Sequence, residues 1–234
     1  MKRLFSLITA FLLSTNVAFA ACDSNTKLML HLNSDVVDAS DSAHTVTANG
    51  SPSYTTTNQK FGSAAIILNG STQYLSVPDH ADWDFGTGDF TTEGWYWWDA
   101  TGGNYFLHSR GGDPSNNFNL YHTANAFYFY IQGVTVINGV AFTPTLDTWY
   151  HIAVTRSGTD VKLFIDGTQT GSTVTNSTNI SDTNAIVIGW RSGATYFPGQ
   201  IDEFRLSNSA RYTANFTPQT AEYCAGARRI IIVS

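Results

Sequence analysis

The chain has 234 residues, 18 acidic against 12 basic, for a formal net charge of −6. Only 13% of residues are charged, while 42% are hydrophobic and 14% aromatic, which excludes a coiled coil and a polar disordered tail. An acidic chain is also a poor holder of phosphate backbones, so nucleic acid drops out as a partner. Thr, Ser, Asn and Gly are abundant, with 30, 21, 17 and 19 copies, and the length suits one large all-β unit.

Residues 1–20 read as a secretory signal. Lys2 and Arg3 form the positive n-region, Leu4 to Leu13 the apolar h-region, and Ala18-Phe19-Ala20 the small-residue cleavage site. The stretch is too short to span a membrane, and no later run reaches the length of a spanning helix. Cleavage after Ala20 would leave a chain of net charge −8, because Lys2 and Arg3 go and no acid does. The expected location is secreted, periplasmic or cell-surface. Phe19-Ala20-Ala21-Cys22 is also an imperfect lipobox, in which Cys22 would carry a lipid anchor, although Phe19 stands where Leu is usual. The favoured reading pairs Cys22 with Cys224, which staples both termini and uses every cysteine of a chain in an oxidising compartment. Closing so long a loop stabilises by about 3–5 kcal/mol.

Along residues 21–226 no long segment has a 3.6-residue apolar period. Short alternating runs recur instead, bounded by Gly, Asn, Asp and Ser, as in antiparallel sheets. Ala65–Leu68, Asn69-Gly70 and Gln73–Val77 predict a hairpin. Phe90–Trp98 predicts a strand with Trp95 and Trp97 on one face and Tyr96 and Trp98 on the other. Asn117–Gln132 predicts two strands around Thr123-Ala124-Asn125. Trp149–Gly167 gives the clearest hairpin, and Ala185–Gly189 and Gln200–Leu206 supply later strands. About a dozen short strands without a linker predict one all-β, two-sheet antiparallel jelly-roll sandwich. Residues 227–234, with the run Ile230-Ile231-Ile232-Val233, read as a short apolar tail outside that domain.

Several segments occur in an order that resembles a known family. They are Phe61-Gly62-Ser63-Ala64-Ala65, Leu68-Asn69-Gly70-Ser71-Thr72-Gln73-Tyr74-Leu75, Phe85–Trp95, Trp149–Val154, Lys162–Gly167, Ile188-Gly189, Gly199–Leu206 and Ala210-Arg211-Tyr212. Together they resemble the LamG-like jelly roll of the concanavalin A-like lectin/glucanase superfamily, over about Lys27 to Pro218. The resemblance fixes the fold more sharply than the ligand. It also implies a structural Ca2+ ion: Asp38-Ala39-Ser40-Asp41-Ser42-Ala43-His44 is similar to a family loop. Asp38 and Asp202 would then share the ion with backbone carbonyls near Gly50. The competing reading makes Asp38 a turn cap and has Asp202 bond backbone at a strand start.

Glycoside hydrolysis needs two carboxylates about 5–10 Å apart, which the family's glucanases carry as closely spaced glutamates on one strand. Here the glutamates are Glu93, Glu203 and Glu222, widely separated in sequence. No catalytic residue is assigned. Sugar binding needs an apolar platform with polar neighbours, and Trp97, Trp98, Tyr105, Trp190, Arg191 and Tyr196 are the candidates. Trp95 and Trp149 match family core positions and read as packing. The expected function is a secreted, non-catalytic lectin-like module for glycan or another extracellular ligand. The alternatives are an adhesive subunit assembling through its edges and a divergent glycoside hydrolase.

Overall fold

The computed structural model describes residues 22–110, 118–191, 193 and 196–224. The signal at 1–20 and the tail at 227–234 lie outside the described residues. The strands, in chain order, begin with β1 (Thr26–Leu30), β2 (Thr47–Asn49), β3 (Ser53–Thr55), β4 (Ala65–Asn69) and β5 (Tyr74–Val77). There follow β6 (Phe90–Trp98), β7 (Tyr105–Arg110), β8 (Phe118–Thr123), β9 (Ala126–Ile131) and β10 (Val134–Ala141). The last are β11 (Trp149–Ser157), β12 (Asp160–Ile165), β13 (Thr168–Gln169), β14 (Val174–Thr175), β15 (Ile186–Ile188) and β16 (Pro198–Ser207). A nine-stranded sheet runs β13-β12-β11-β6-β16-β4-β3, with β1 also on β16 and β14 on β12. A seven-stranded sheet runs β10-β9-β8-β7-β15-β5-β2. The fold is the expected two-sheet antiparallel sandwich.

Local chemistry explains the hairpins. Ala124 and Asn125 both take positive φ, 48° and 59°, between β8 and β9. Asp166 and Gly167 do the same between β12 and β13, at 48° and 76°. Two left-handed residues in succession match the right-handed twist of the strands they join. The hairpin expected at Asn69-Gly70 does not form. β4 pairs with β3 and β16 in one sheet, while β5 pairs with β2 and β15 in the other. The Asn69 carboxamide oxygen accepts the N–H groups of Ser71, Thr72 and Gln73, so the turn carries the chain across the sandwich. Each strand then contributes its own apolar pair, Ile66 and Leu68 from one layer and Leu75 and Val77 from the other, to the shared core.

Along β6 the alternation sends Phe90, Tyr96 and Trp98 into the core and Thr91, Glu93, Trp95 and Trp97 to the outer face. Phe118, Leu120, Phe127, Phe129 and Ile131 meet them from the seven-stranded sheet. Each such side chain, fully buried, contributes about 1.5–3 kcal/mol.

The outer face of the nine-stranded sheet is crossed by the C-terminal segment 208–224. Thr155 Oγ1 donates to the Tyr212 carbonyl at 3.1 Å, and the Phe216 N–H donates to the Gly167 carbonyl at 2.8 Å. Gly167 is required there, since a Cβ would stand 2.0 Å from the Phe216 oxygen. The segment ends in the disulfide between Cys22 and Cys224. Both sulfurs are thereby used, so the lipid-anchor reading of Cys22 is overturned.

Candidate binding surface

The outer face of the seven-stranded sheet is built by a simple alternation. Along β9, Phe127, Phe129 and Ile131 point inward, and Tyr128 and Tyr130 point outward and are half-buried. Strand register then lines up Phe106 of β7, Tyr121 of β8 and Tyr128 of β9. Phe106 and Tyr121 stack with centroids 4.7 Å apart, and Tyr121 and Tyr128 at 5.1 Å with planes 10° apart. Tyr130 adds a fourth ring, 5.6 Å from Tyr121. The Arg191 guanidinium lies 4.4 Å over Phe106, a cation–π contact that closes one end of the row.

The same sheet face carries a second aromatic group on the side of β5. Tyr74 meets Trp190 at 4.8 Å, and Trp190 stacks on Tyr196 at 5.2 Å and 11°. The Ser109 hydroxyl donates to the Trp190 carbonyl at 3.0 Å, tying this loop to β7. Burial and the neighbouring Tyr130 push the Tyr121 phenol up from its ordinary value, so it stays an O–H near neutral pH. The surface thus offers a ridge of stacked ring edges beside neutral hydroxyls and one guanidinium, with Phe106 itself only 1% exposed beneath Arg191.

The six expected contact residues separate into three places. Trp190, Arg191 and Tyr196 lie on this surface. Trp97 stands half-buried on the opposite outer face, edge-on to Trp149 at 5.7 Å. Trp98 and Tyr105 are corrections: at 0% and 6% exposure both belong to the core between the sheets. Trp98 is enclosed by Phe127, Phe142, Tyr150 and Phe197, which leaves no ring face for a ligand. Tyr74, Phe106, Tyr121, Tyr128 and Tyr130 were missed. Only Tyr128 and Tyr130 carry a sequence signal, the run Phe127-Tyr128-Phe129-Tyr130, where each phenolic oxygen marks the wet face.

The residues expected to share Ca2+ do not fit it. The Asp38 carboxylate accepts from the N–H groups of Met29, Ser40 and His44 and from the Ser40 hydroxyl. Four donors occupy the four acceptor sites of a carboxylate, so Asp38 organises its loop as a turn cap. Asp202 Oδ2 accepts from the N–H groups of Lys60 and Phe61, and the Gly50 carbonyl accepts from Gln73. Burial, with the neighbouring Glu203 charge, raises the Asp202 carboxyl to about 8 against the pull of those N–H groups. With Asp38 fully occupied, Asp202 stands as a single carboxylate, short of the six to eight oxygens that calcium takes. Among the described residues the donor groups within reach of one ion are His44, His80 and Asp82, and His31, Glu203 and Glu222.

Glu93 lies on the central β6, facing outward beneath the C-terminal segment. Arg205 Nε donates to Oε1 at 2.8 Å, and the Tyr212 and Tyr223 hydroxyls donate to Oε2 at 2.7 and 2.6 Å. His151 Nε2 is 3.2 Å from the same oxygen. Burial alone would raise this carboxyl, but Arg205 and His151 outweigh it and hold Glu93 far below the ordinary carboxylate range. It is a sealed carboxylate, not a proton donor.

Two antiparallel sheets packed face to face in this strand order form a jelly-roll sandwich. The chain belongs to the concanavalin A-like lectin/glucanases superfamily, whose family model matches residues 69–215. No curated protein matches the chain in sequence. Among solved structures it is similar to the binding domain of Paraclostridial Mosquitocidal Protein 1, at 17% identity and a TM-score of 0.64 over 80% of this chain and 50% of that one. It is similar to Domain 4 of AbnA, a GH43 extracellular arabinanase from Geobacillus stearothermophilus solved with arabinotriose, at 18% identity and a TM-score of 0.64. That match covers 80% of this chain and 93% of the other. It is also similar to the binding domain of Botulinum Neurotoxin DC in complex with SialylT, at 13% identity and a TM-score of 0.61 over 81% and 49%. The chain spans about half the length of the two toxin domains. At these identities the likeness is one of fold.

Proposed function

We propose that this protein is a secreted, non-catalytic lectin-like module that binds glycan on the outer face of its seven-stranded sheet. The observation that carries the reading is the in-register row Phe106–Tyr121–Tyr128, with Tyr130 beside it. The outward edges of these stacked rings give a sugar an apolar ridge, while phenolic hydroxyls and Arg191 serve its hydroxyl groups. Two structural neighbours, one solved with arabinotriose and one with SialylT, support the same ligand class. The ion-paired, sealed state of Glu93 supports binding rather than cleavage. The disulfide supports an extracellular location.

A glycan array, followed by calorimetry on the best ligand, tests this. Tyr121→Ala is expected to weaken that ligand about tenfold or more, as for a central aromatic contact. Binding is expected to survive chelator, because protein donors occupy all four acceptor sites of Asp38. If the wild-type protein gives no glycan signal with or without calcium, the lectin reading fails.

A further inference from the structure

The aromatic row and the group of Tyr74, Trp190 and Tyr196 stand at one level of the seven-stranded sheet. Ile188 pairs with Leu75 on one side and His108 on the other, so Gly189, one residue on, stands between Tyr74 and Leu107. The Gly189 N–H donates to the Leu107 carbonyl at 3.0 Å. β7 bulges there, with Leu107 in the core and Phe106 beside it in register with Tyr121, which in turn faces Tyr128. The two groups therefore lie along one line across β5-β15-β7-β8-β9. Four strand spacings of about 4.8 Å make that line about 19 Å long.

Arg191 fills the middle of the line. Its guanidinium covers Phe106, 4.4 Å over the ring, and its charge pulls on the Tyr121 and Tyr130 phenols. The other arginines among the described residues are all engaged. Arg110 binds Asp79 and Asp84, Arg156 donates to three backbone carbonyls, Arg205 holds Glu93 and Arg211 holds Asp23. Among the described residues Arg191 makes neither an ion pair nor a hydrogen bond: its Nε is enclosed without an acceptor, while Nη1 and Nη2 keep contact with solvent. No strand of this sheet contains an aspartate or glutamate that could pair with it. In a chain with 18 acids against 12 bases, a sheet without acids that carries one unpaired guanidinium is a local exception. The net charge of the whole chain is screened by salt within about 8 Å, so the local guanidinium decides which ligand charge is accepted.

We infer that the two aromatic groups are the ends of one site, and that this site takes the interior of an oligosaccharide of uronic acids with one carboxylate on Arg191. Stacking on Phe106 fixes the guanidinium plane and leaves its edge donors for a planar acceptor, the fork-to-fork match of a carboxylate. A uronic acid unit supplies that carboxylate in the middle of a chain. A pyranose unit in an extended chain is about as long as one strand spacing, so the line holds roughly four units. The ring edges of Tyr121 and Tyr128 meet the sugars at one end, and Tyr74, Trp190 and Tyr196 meet them at the other. This inference rests on the glycan-binding reading above and names the ligand class of that site.

The test is calorimetry on the full chain with oligogalacturonates, oligomannuronates and oligoglucuronates of increasing length, from the single sugar to the hexamer. Each acidic series is run beside its methyl ester, and cellohexaose serves as a neutral chain. One acidic series is expected to tighten with length up to about four units and then level. Its methyl ester, the same chain without charge, is expected to bind about tenfold more weakly, and added salt to narrow that gap. Arg191→Gln, which breaks no hydrogen bond among the described residues, is expected to bring the acid down to the level of its ester. Tyr74→Ala, at the far end from the row, is expected to flatten the rise with length. Silence toward all three acidic series overturns the inference whatever the glycan array reports. Acid and ester bound alike overturn it too, as does a single sugar bound as tightly as the hexamer. Neutral binding that Tyr121→Ala weakens and Arg191→Gln spares overturns it while leaving the lectin reading intact. A protein silent to every probe and to the glycan array overturns both readings.

Discussion

Substituting Glu93 by Gln removes the countercharge from Arg205, whose guanidinium donates to it through Nε and Nη2. Breaking a buried pair from one side leaves a desolvated charge, so Glu93→Gln is expected to cost about 3–5 kcal/mol in urea denaturation. A cost below about 1 kcal/mol would show that the network is not what holds the C-terminal segment down. Two aromatics make the complementary comparison. Trp98→Ala empties a fully buried site and is expected to cost about 3–5 kcal/mol. Tyr121→Ala, at a half-buried site, is expected to cost roughly 1 kcal/mol or less while weakening glycan binding about tenfold or more. The alternation along Phe90–Trp98 was legible in the sequence and separated Trp95 and Trp97 from Tyr96 and Trp98 as the structure does. What it left open was which set faces inward, because aromatic residues occur on both. That depends on groups distant in sequence, Phe127 from the second sheet and Phe142 and Phe197 from the segments after β10 and before β16, which close around Trp98.

Among the elements, the β11–β12 and β8–β9 hairpins could be read because their turn residues and strand patterns agree. The β4–β5 connection could not, because Asn-Gly bends the chain equally well within a sheet or between two. The aromatic row was equally hidden, since three rings from β7, β8 and β9 meet only once register is set across strands. The C-terminal segment was legible only in the motif Ala210-Arg211-Tyr212 and in its last residue, Cys224. Its body is held by backbone contacts such as the Phe216–Gly167 hydrogen bond and by the Tyr212–Phe216 stack at 3.5 Å, which have no sequence signature. Reducing Cys22–Cys224 frees a closure of 202 residues and is expected to lower stability by about 3–5 kcal/mol. Hydrogen exchange should then show residues 208–224 losing protection first, ahead of β6 and β16. Uniform loss across both sheets would instead make the disulfide a global staple rather than the anchor of one segment.

At the scale of the molecule, two buried groups set opposing pH slopes. His108 projects between the sheets, where its Nε2 lies 2.9 Å from Thr92 Oγ1 and its ring packs on Phe118 and Phe204. Burial lowers it from an ordinary 6.5 to about 3. Between those values the unfolded chain takes a proton that the fold refuses, so this contribution to stability is present above pH 6.5 and lost as pH falls toward 3. Asp202 runs the other way. Its carboxyl, raised by burial from 3.8 to about 8, keeps a proton that the unfolded chain releases, so its contribution is present below pH 3.8 and lost as pH rises through 8. Each slope is about 1.4 kcal/mol per pH unit when fully expressed, so the two offset each other between roughly pH 4 and 6.5. Glu93, held ionised in the fold, deepens the loss at the acid end. From pH 6.5 to 8 the Asp202 slope stands without its opponent, and there the wild type should lose stability with rising pH. Asp202→Asn keeps an oxygen for the Lys60 and Phe61 N–H groups but cannot ionise. Chemical denaturation of both proteins across pH 4–9 is expected to give a difference curve that rises in favour of the variant up to pH 8 and then levels. A flat difference curve would mean that Asp202 is already charged in the fold at neutral pH, which would reopen its carboxylate to a cation.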